Sequence, residues 1–191
     1  MDVVARIEAA ASRWNVLEHP FYQRWSAGEL RQTELSEYAA QYRYAVVALA
    51  DAAAAAGNAE HACEEREHVA LWDAFASGCG SLPADATDET LECTAAWTAG
   101  DDQLERLAIL YAIESAQPAI SKTKLEGLLG HYGFEEGPAT EYFSLHAERD
   151  HEHAAHSRDL LLKLASEEDA SRLAARAEAA AHGNWRLLDG I

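Results

Sequence analysis

The chain is poor in cysteine, proline and glycine, and these shortages exclude several classes of protein. Its 191 residues include three cysteines, four prolines and eleven glycines. Few helix breakers in a chain dominated by alanine, leucine and glutamate favour a nearly all-helical protein. The cysteines, Cys63, Cys79 and Cys93, are odd in number and lack the paired spacing of a metal site, so we expect a reduced, cytoplasmic setting.

Basic residues are also scarce, and long apolar runs are missing from the sequence. Lysine and arginine together number 15 against 33 aspartates and glutamates, which gives a formal net charge of −18 at pH 7. This charge disfavours nucleic acid and anionic membrane surfaces as partners. No apolar run approaches the roughly 18 residues of a membrane span, and we recognise no basic and apolar signal segment. We therefore expect neither nucleic acid nor a membrane as a partner.

Helical spacing of the apolar residues divides the chain into seven helices and one aromatic-rich turn. The turn covers residues 19–25 and leads to Gly28. Because the length fits one domain over residues 1–191, we predict an all-α, single-domain bundle of seven or eight helices. The predicted helices cover roughly residues 2–14, 33–56, 59–77, 85–97 and 102–132, with a sixth starting near 137 and a last one from about 166 to 183.

One stretch of the sixth helix places two histidines and an aspartate at regular spacing. His146, Asp150 and His153 stand at positions i, i+4 and i+7, so their side chains project from one face of the helix. Two imidazoles and a carboxylate suit iron, manganese or zinc. The alternative interpretation of the same spacing is a solvated polar face on an acidic protein.

A second group of possible ligands lies in the third helix. His61, Glu64, Glu65 and His68 fall within one narrow arc of that helix. Glu65 and His68 have the Glu-x-x-His spacing that carboxylate-bridged di-iron bundles use on paired helices. A charged helix face is the alternative, since sequences rich in glutamate produce this spacing by chance.

Glu114 is the third element, and it stands among apolar neighbours in the fifth helix. Its side chain is therefore expected to point inward, where an unpaired carboxylate would be costly. A metal ion would relieve that cost, and an ion pair with Lys122 or Lys124 is the competing explanation. Pro118, four residues later, is expected to kink the helix at the carboxylate, because its ring clashes with the carbonyl of Glu114.

Three helices that each offer carboxylate or imidazole groups supply the ligands that a dinuclear metal site requires. Mixed histidine and carboxylate ligands without a thiolate pattern favour iron or manganese over structural zinc. Such sites activate dioxygen or water. We expect a dry pocket beside the site, lined by Tyr22, Trp25, Tyr38, Tyr42, Tyr111 and Phe143.

The order of these motifs resembles that of the heme-oxygenase-like di-metal oxidases, the superfamily of the TenA thiaminases and the pyrroloquinoline-quinone synthase PqqC. Within it, the chain is most similar to the branch of the Chlamydia protein associating with death domains, over roughly residues 16–163. The matching segments are residues 17–22, 25–30, 68–72, 114–124, 127–128, 132–134 and the triplet at 146–153.

The resemblance implies a set of metal ligands. Five residues match ligands of the family, namely His68, Glu114, His146, Asp150 and His153. The branch has a glutamate seven residues before the equivalent of His68, and this chain has His61 there. We therefore favour Glu65 as the sixth ligand, with Glu64 or His61 as the alternatives.

The resemblance also implies a function. The expected protein is a cytoplasmic, homodimeric oxidase or oxygenase that uses two iron ions, or iron and manganese, with dioxygen and a small-molecule substrate. The alternative is a synthase that makes para-aminobenzoate from its own tyrosine, for which Tyr22, Tyr38 and Lys124 match the residues of interest and Ile113 replaces an expected tyrosine. A TenA-like thiaminase would need a nucleophilic cysteine near Glu114, which the sequence lacks. A non-catalytic binding protein is supported only by the net charge.

Overall fold

The computed structural model describes residues 2–191, and the regular secondary structure in this range is helical. Within residues 2–191, nine α-helices are joined by short loops and by two single 3-10 turns at Ser12–Trp14 and Val16–Glu18. The count agrees with the expected seven or eight when α6 and α7 are taken as one interrupted helix, and the all-α prediction is confirmed. The helices are α1 Val3–Ala11, α2 Pro20–Ala27, α3 Gln32–Ala55, α4 Ala59–Gly78, α5 Asp88–Trp97, α6 Gln103–Glu114, α7 Gln117–His131, α8 Glu141–Leu164 and α9 Ala170–Asp189.

The expected turn at residues 19–25 is wrong, because most of this segment forms α2. The side chain of His19 accepts a hydrogen bond from the backbone N–H of Phe21 at 3.0 Å, which caps the helix. Pro20 occupies the first helical position, where its missing N–H costs nothing. Gly28 ends the helix with a left-handed φ of 71°, which a glycine adopts without strain. These end signals outweigh the aromatic content that suggested a turn.

The expected kink near Pro118 is a complete break between two helices. Helix α6 ends at Glu114 itself, and α7 begins at Gln117. Proline cannot donate the hydrogen bond that would continue α6, but it fits within the first turn of a new helix. The break leaves the Glu114 carboxylate at the end of a helix that is buried along most of its length.

The predicted start of α8 and the predicted C-terminal end of α9 are also wrong. Helix α8 starts at Glu141, after a turn in which Gly137 has a φ of 157° and its N–H donates to Thr140 Oγ1 at 3.0 Å. Helix α9 continues through Gly183 to Asp189. Gly183 permits close packing there, since an added Cβ would lie 3.1 Å from the Cα of Cys93 on α5.

The helices that carry the expected site are packed in pairs around one core. Helix α3 packs along α4, while α6 and α7 both pack against α8, and α9 closes the other side against α1, α5 and α6. Trp72 on α4 donates a hydrogen bond to the carbonyl of Ala39 at 2.8 Å, and Trp25 on α2 donates to the carbonyl of Lys124 at 3.2 Å. These two bonds hold α3 and α7 at the sides of the buried polar site. Among the helices in residues 2–191, none is long and apolar enough to cross a membrane.

Candidate metal centre

Helix α4 contributes one buried face to the site. Asn58 caps the helix by accepting from the backbone N–H of His61 at 3.1 Å, so His61 lies in the first turn. His61, Glu65 and His68 follow at positions i, i+4 and i+7, and all three are buried. Glu64 is half-buried beside them. The structure therefore brings His61 and Glu65 inward together.

Helix α8 contributes the triplet. His146 and Asp150 are buried, and His153 is partly buried at the edge of the same face. Nδ1 of His146 lies 2.7 Å from the carbonyl oxygen of Tyr142. Since a carbonyl only accepts, Nδ1 carries the proton and Nε2 is left with a free lone pair, the usual tautomer of a metal-binding histidine.

Glu114 reaches the site from the end of α6. Neither of its carboxylate oxygens has a hydrogen-bond partner among the described residues, although both are buried. The basic group closest to it is His61, whose Nε2 lies 3.0 Å from Oε1. The alternative ion pairs are not formed, because Lys122 is exposed beside Glu126 and Lys124 points into aromatic rings.

The Glu65 carboxylate lies at the centre of the three helices. Its Oε1 is 3.4 Å from Nε2 of His61 and 3.3 Å from Nδ1 of His68, and its Oε2 is 3.8 Å from Nε2 of His146. Glu65 belongs to two groups of three whose donor atoms all lie within 4.8 Å of one another. The first group is His61, Glu65 and His153, and the second is Glu65, His68 and His146.

The polar atoms of this cluster are spaced for metal coordination rather than for hydrogen bonds with one another. Buried polar atoms are normally hydrogen-bonded, and each one left without a partner costs about 1–3 kcal/mol. Ligands about 2.1 Å from a common ion lie roughly 3 Å apart when they are neighbours, close to the 3.0 to 3.8 Å separations between these atoms. Unpartnered buried atoms occur on His61, Glu64, Glu65, His68, Glu114, His146, Asp150 and His153.

The charges of the buried carboxyl groups also fit a bound cation. Burial raises the pKa of Asp150 to about 9 and that of Glu114 to about 7, the latter against the opposing effect of His61. Burial would raise the pKa of Glu65 too, but the imidazoles around it outweigh this and hold its pKa below the usual range. Three neighbouring carboxylates are costly to ionise together unless a positive charge lies between them.

Lys124 on α7 lies in an aromatic box next to this cluster. Its side chain is fully buried, and its Nζ has no hydrogen-bond partner among the described residues. Burial lowers the pKa of the amine from 10.5 to about 7, although Asp150 acts in the opposite direction. The Nζ atom lies 4.3 Å from the ring centre of Tyr42 and 5.6 to 5.9 Å from those of Tyr22, Tyr38, Trp72 and Phe143.

Tyr22 and Tyr38 form a buried pair in that box. Their hydroxyl oxygens are 3.0 Å apart, and burial raises the pKa of both phenols well above the usual value. Trp72 connects this pair to the polar cluster around Glu65, since its ring is 5.9 Å from Tyr38 and 5.0 Å from Tyr142. Tyr142 in turn stacks on His146 with ring centres 3.9 Å apart.

One predicted pocket residue is wrong, and two aromatic residues were missed. Tyr111 points toward α1, where its hydroxyl donates to Glu8 at 2.6 Å. Trp72 and Tyr142 contact the box and the cluster instead. Their spacing could have revealed them, because Trp72 stands four residues after His68 and Tyr142 four residues before His146.

Comparison with known proteins identifies the family. A sequence model of the proteins described as iron-containing redox enzymes matches residues 36–185, which is most of the chain. The chain belongs to this family. Its buried cluster of histidines and carboxylates is therefore a possible iron site of an iron-containing redox enzyme.

Proteins named 4-aminobenzoate synthase are among the relatives of this chain. The one from Chlamydia muridarum (strain MoPn / Nigg) is 26% identical over 214 residues, covering 100% of the chain and 90% of the relative. The one from Nitrosomonas europaea is 29% identical over 219 residues, covering 97% of the chain and 89% of the relative. The resemblance inferred from the motifs, including its Chlamydia branch, is confirmed.

Two solved structures share the fold of this chain. A TenA homologue from P. horikoshii OT3 superposes with a TM-score of 0.80 at 14% identity, covering 99% of the chain and 97% of that protein. A domain of unknown function with a heme oxygenase-like fold, from Shewanella denitrificans OS217, gives a TM-score of 0.76 at 16% identity, covering 100% and 91%. At these identities the likeness shows the heme-oxygenase-like fold and nothing about the reaction.

Proposed function

We propose that this iron-containing redox enzyme is a non-haem oxidase or oxygenase that uses dioxygen to oxidise a small molecule at a dinuclear centre. The observation that carries the proposal is the set of buried, unpartnered donor atoms around Glu65. The expected cofactor is two iron ions, or one iron and one manganese. The proposed ligands are Glu65, His68, Glu114, His146, Asp150 and His153, with His61 and Glu64 as further candidates.

The residues around the site have distinct roles in this proposal. Bound iron would supply one-electron redox chemistry and a coordination position for dioxygen. Glu114 and Asp150 would lose their protons as the ions enter, because metal ligation requires the carboxylate form. Lys124, whose pKa of about 7 leaves much of the amine neutral, can accept a proton at Nζ. The surrounding rings exclude water from this step.

Metal loading and oxygen consumption test the proposal. The protein is loaded anaerobically with ferrous iron, desalted and analysed for metal, and then exposed to air while the optical spectrum and dissolved oxygen are followed. We expect close to two ions per chain, an oxygen-dependent spectral change and oxygen uptake. A matched control is His151→Ala, which removes an exposed histidine from the same helix as the triplet. Wild-type protein that binds no iron, or binds it without consuming oxygen, contradicts the proposal.

A second candidate function is the synthesis of 4-aminobenzoate from a tyrosine of the chain itself. It is favoured by the names of the relatives, by the 3.0 Å contact between Tyr22 and Tyr38, and by the buried amine of Lys124 above both rings. Ile113, where a tyrosine was expected, is buried on α6. In this function, the substrate would be a tyrosine side chain that is already buried in the protein.

Intact-mass spectrometry separates the two functions. The iron-loaded protein is incubated with air and a reductant, and peptide mapping then examines the segments around Tyr22 and Tyr38. Self-modification predicts a mass change at one of these tyrosines, abolished in the corresponding phenylalanine variant and kept in Tyr44→Phe, a tyrosine that is partly exposed. Oxygen uptake with an unchanged mass favours oxidation of an external small molecule.

A thiaminase is not favoured by the position of the cysteines. Cys63 is exposed, while Cys79 and Cys93 are buried. Burial raises the pKa of Cys79 to about 12 and that of Cys93 further, so neither forms the thiolate that a nucleophile requires. None of the three belongs to the cluster around Glu65.

Three further expectations belong to the same proposal. We propose that residues 1–191 form one domain, that the protein is a homodimer, and that it acts in the cytoplasm on a small molecule and dioxygen without nucleic acid or membrane partners. Sedimentation equilibrium of the purified protein tests the dimer. A single species of 20.8 kDa, the mass of one chain, would contradict it.

A further inference from the structure

We propose that His61 is a metal ligand and that the two ions bind in separate triads that share only Glu65. One triad is His61, Glu65 and His153, and the other is Glu65, His68 and His146. This inference rests on the proposed metal centre and extends it by dividing five of its candidate residues between the two ions. Its consequence is that each ion can be removed without the other.

The position of His61 is that of a ligand. Its side chain is 3% exposed, and Nε2 lies 3.0 Å from Oε1 of Glu114 and 3.4 Å from Oε1 of Glu65. Neither contact has the geometry of a hydrogen bond, so the ring nitrogen is buried without a partner. The same nitrogen belongs, with Glu65 and His153, to a group of donor atoms that all lie within 4.8 Å of one another.

The stacking of His61 on His153 supports the same conclusion. The two rings are 7° from parallel, with centres 3.9 Å apart. The stacking brings ring nitrogens from α4 and α8 together with the Glu65 carboxylate, and the three donor atoms all lie within 4.8 Å of one another. His153 Nε2 also lies 3.3 Å from Oε2 of Glu64, which places a further carboxylate beside this triad.

The second triad differs from the first in the arrangement of its imidazole rings. His68 and His146 meet edge to face, with ring centres 4.7 Å apart and planes at 75°. Their free nitrogens face different oxygens of Glu65, at 3.3 Å from Oε1 and 3.8 Å from Oε2. His146 is oriented by the carbonyl of Tyr142, and the structure gives no equivalent backbone contact to the ring of His61 or His153. The two ions would thus occupy chemically different positions.

Glu65 is the one residue common to both triads among the described residues. A carboxylate has two oxygens and can bind two ions at once, as it does in dinuclear centres with metals about 3.5–4 Å apart. Removal of Glu65 should therefore weaken both positions. Removal of His61 or His68 should weaken one position each.

Manganese binding tests this assignment without relying on activity. Each variant is titrated anaerobically with Mn²⁺, the bound metal is counted by mass spectrometry after gel filtration, and electron paramagnetic resonance distinguishes a coupled pair of ions from a single ion. We expect two ions and a coupled signal in the wild type. His61→Ala and His68→Ala should each keep about one ion with an uncoupled signal. Glu65→Ala should keep none under the same conditions.

The controls address folding and non-specific loss. His151→Ala, on the exposed side of α8, should keep two coupled ions. His61→Gln is the second variant at the key position, because it keeps a polar side chain if the alanine variant unfolds by circular dichroism. Its expected result is the same single, uncoupled ion.

The remaining outcomes contradict the assignment of His61, the separation of the two triads or the metal centre itself. Two coupled ions in both variants at His61 show that this residue is not a ligand, while the proposed metal centre stands. Loss of both ions from a folded His61 variant shows that the triads are not separate. A wild-type protein that binds neither manganese nor iron overturns the metal centre together with this assignment.

Discussion

The imidazole rings of His61 and His153 lie face to face, 3.9 Å apart between centres, although one ring comes from the first turn of α4 and the other from the middle of α8. Two helices distant in sequence thus place imidazole nitrogens in the same space. Glu65 lies next to both rings. In the proposed metal centre, this contact would make metal binding and the packing of α4 on α8 mutually dependent, because an ion that orders one ring also orders the other.

Alanine substitution of any triplet residue should strip at least one ion from the protein. His146, Asp150 and His153 all have buried atoms without hydrogen-bond partners, and loss of a ligand typically costs well over tenfold in metal affinity. Iron analysis of each purified variant after identical loading measures the effect, with His151→Ala as the control. Full iron content in all three variants would rule out the triplet as ligands.

Lys124→Met should stabilise the metal-free protein at neutral and acidic pH. Lys124 has a pKa of about 7 in the folded chain against 10.5 normally, so folding at pH below 7 buries a charge, at a cost of about 5 kcal/mol. Between pH 7 and 10.5 the unfolded chain holds the extra proton, and wild-type stability therefore rises with pH. Urea unfolding should show the variant's advantage shrinking over this range. A constant difference between pH 6 and 10 would contradict the predicted titration.

Glu34→Gln should destabilise the protein at neutral pH and lose its effect in acid. The carboxylate accepts from the backbone N–H of Arg31 at 2.8 Å and pairs with the side chains of Arg31 and Arg24. These contacts hold the pKa of Glu34 at about 2, below the normal 4.5. Its contribution, about 1–2 kcal/mol, is complete above pH 4.5 and disappears as pH falls through 2.

Thermal unfolding of the Glu34 variant at pH 7 and pH 2.5 measures the effect. Glu37→Gln is the control, since Glu37 is an exposed glutamate one turn later on α3. Equal destabilisation by both substitutions at pH 7 would show that the arginine contacts contribute nothing specific.

Gly127→Ala should destabilise the protein and disturb the wall of the aromatic box. An added Cβ would overlap the Trp25 indole, whose Nε1 donates to the carbonyl of Lys124. Overpacking of this kind costs about 1–3 kcal/mol. Gly130→Ala on the same helix meets no atom within 4 Å, so it should be neutral or stabilising by about 0.5–1 kcal/mol. Urea midpoints and the tryptophan emission of the two variants provide the comparison, and a stable Gly127→Ala would show that Trp25 can move.

Local sequence determined the helices and the spacing of the possible ligands. Few prolines and glycines leave the helical hydrogen bonds uninterrupted over long stretches, and caps such as Asn58 and Asp102 fix where helices begin. Once α8 is helical, the spacing of His146, Asp150 and His153 forces them onto one face. These conclusions depend only on contacts within a few residues, which a sequence displays directly.

The tertiary structure decided which residues of each helix face the site. Glu64 and Glu65 are adjacent and differ by about 100° around α4, so only the packing of α4 against α8 could bury Glu65 and leave Glu64 at the edge. Contacts between helices likewise turned Tyr111 on α6 toward α1, where its hydroxyl donates to Glu8. Rotation about a helix axis leaves its internal hydrogen bonds unchanged. The rotation is therefore set by contacts between distant segments, which periodicity alone does not specify.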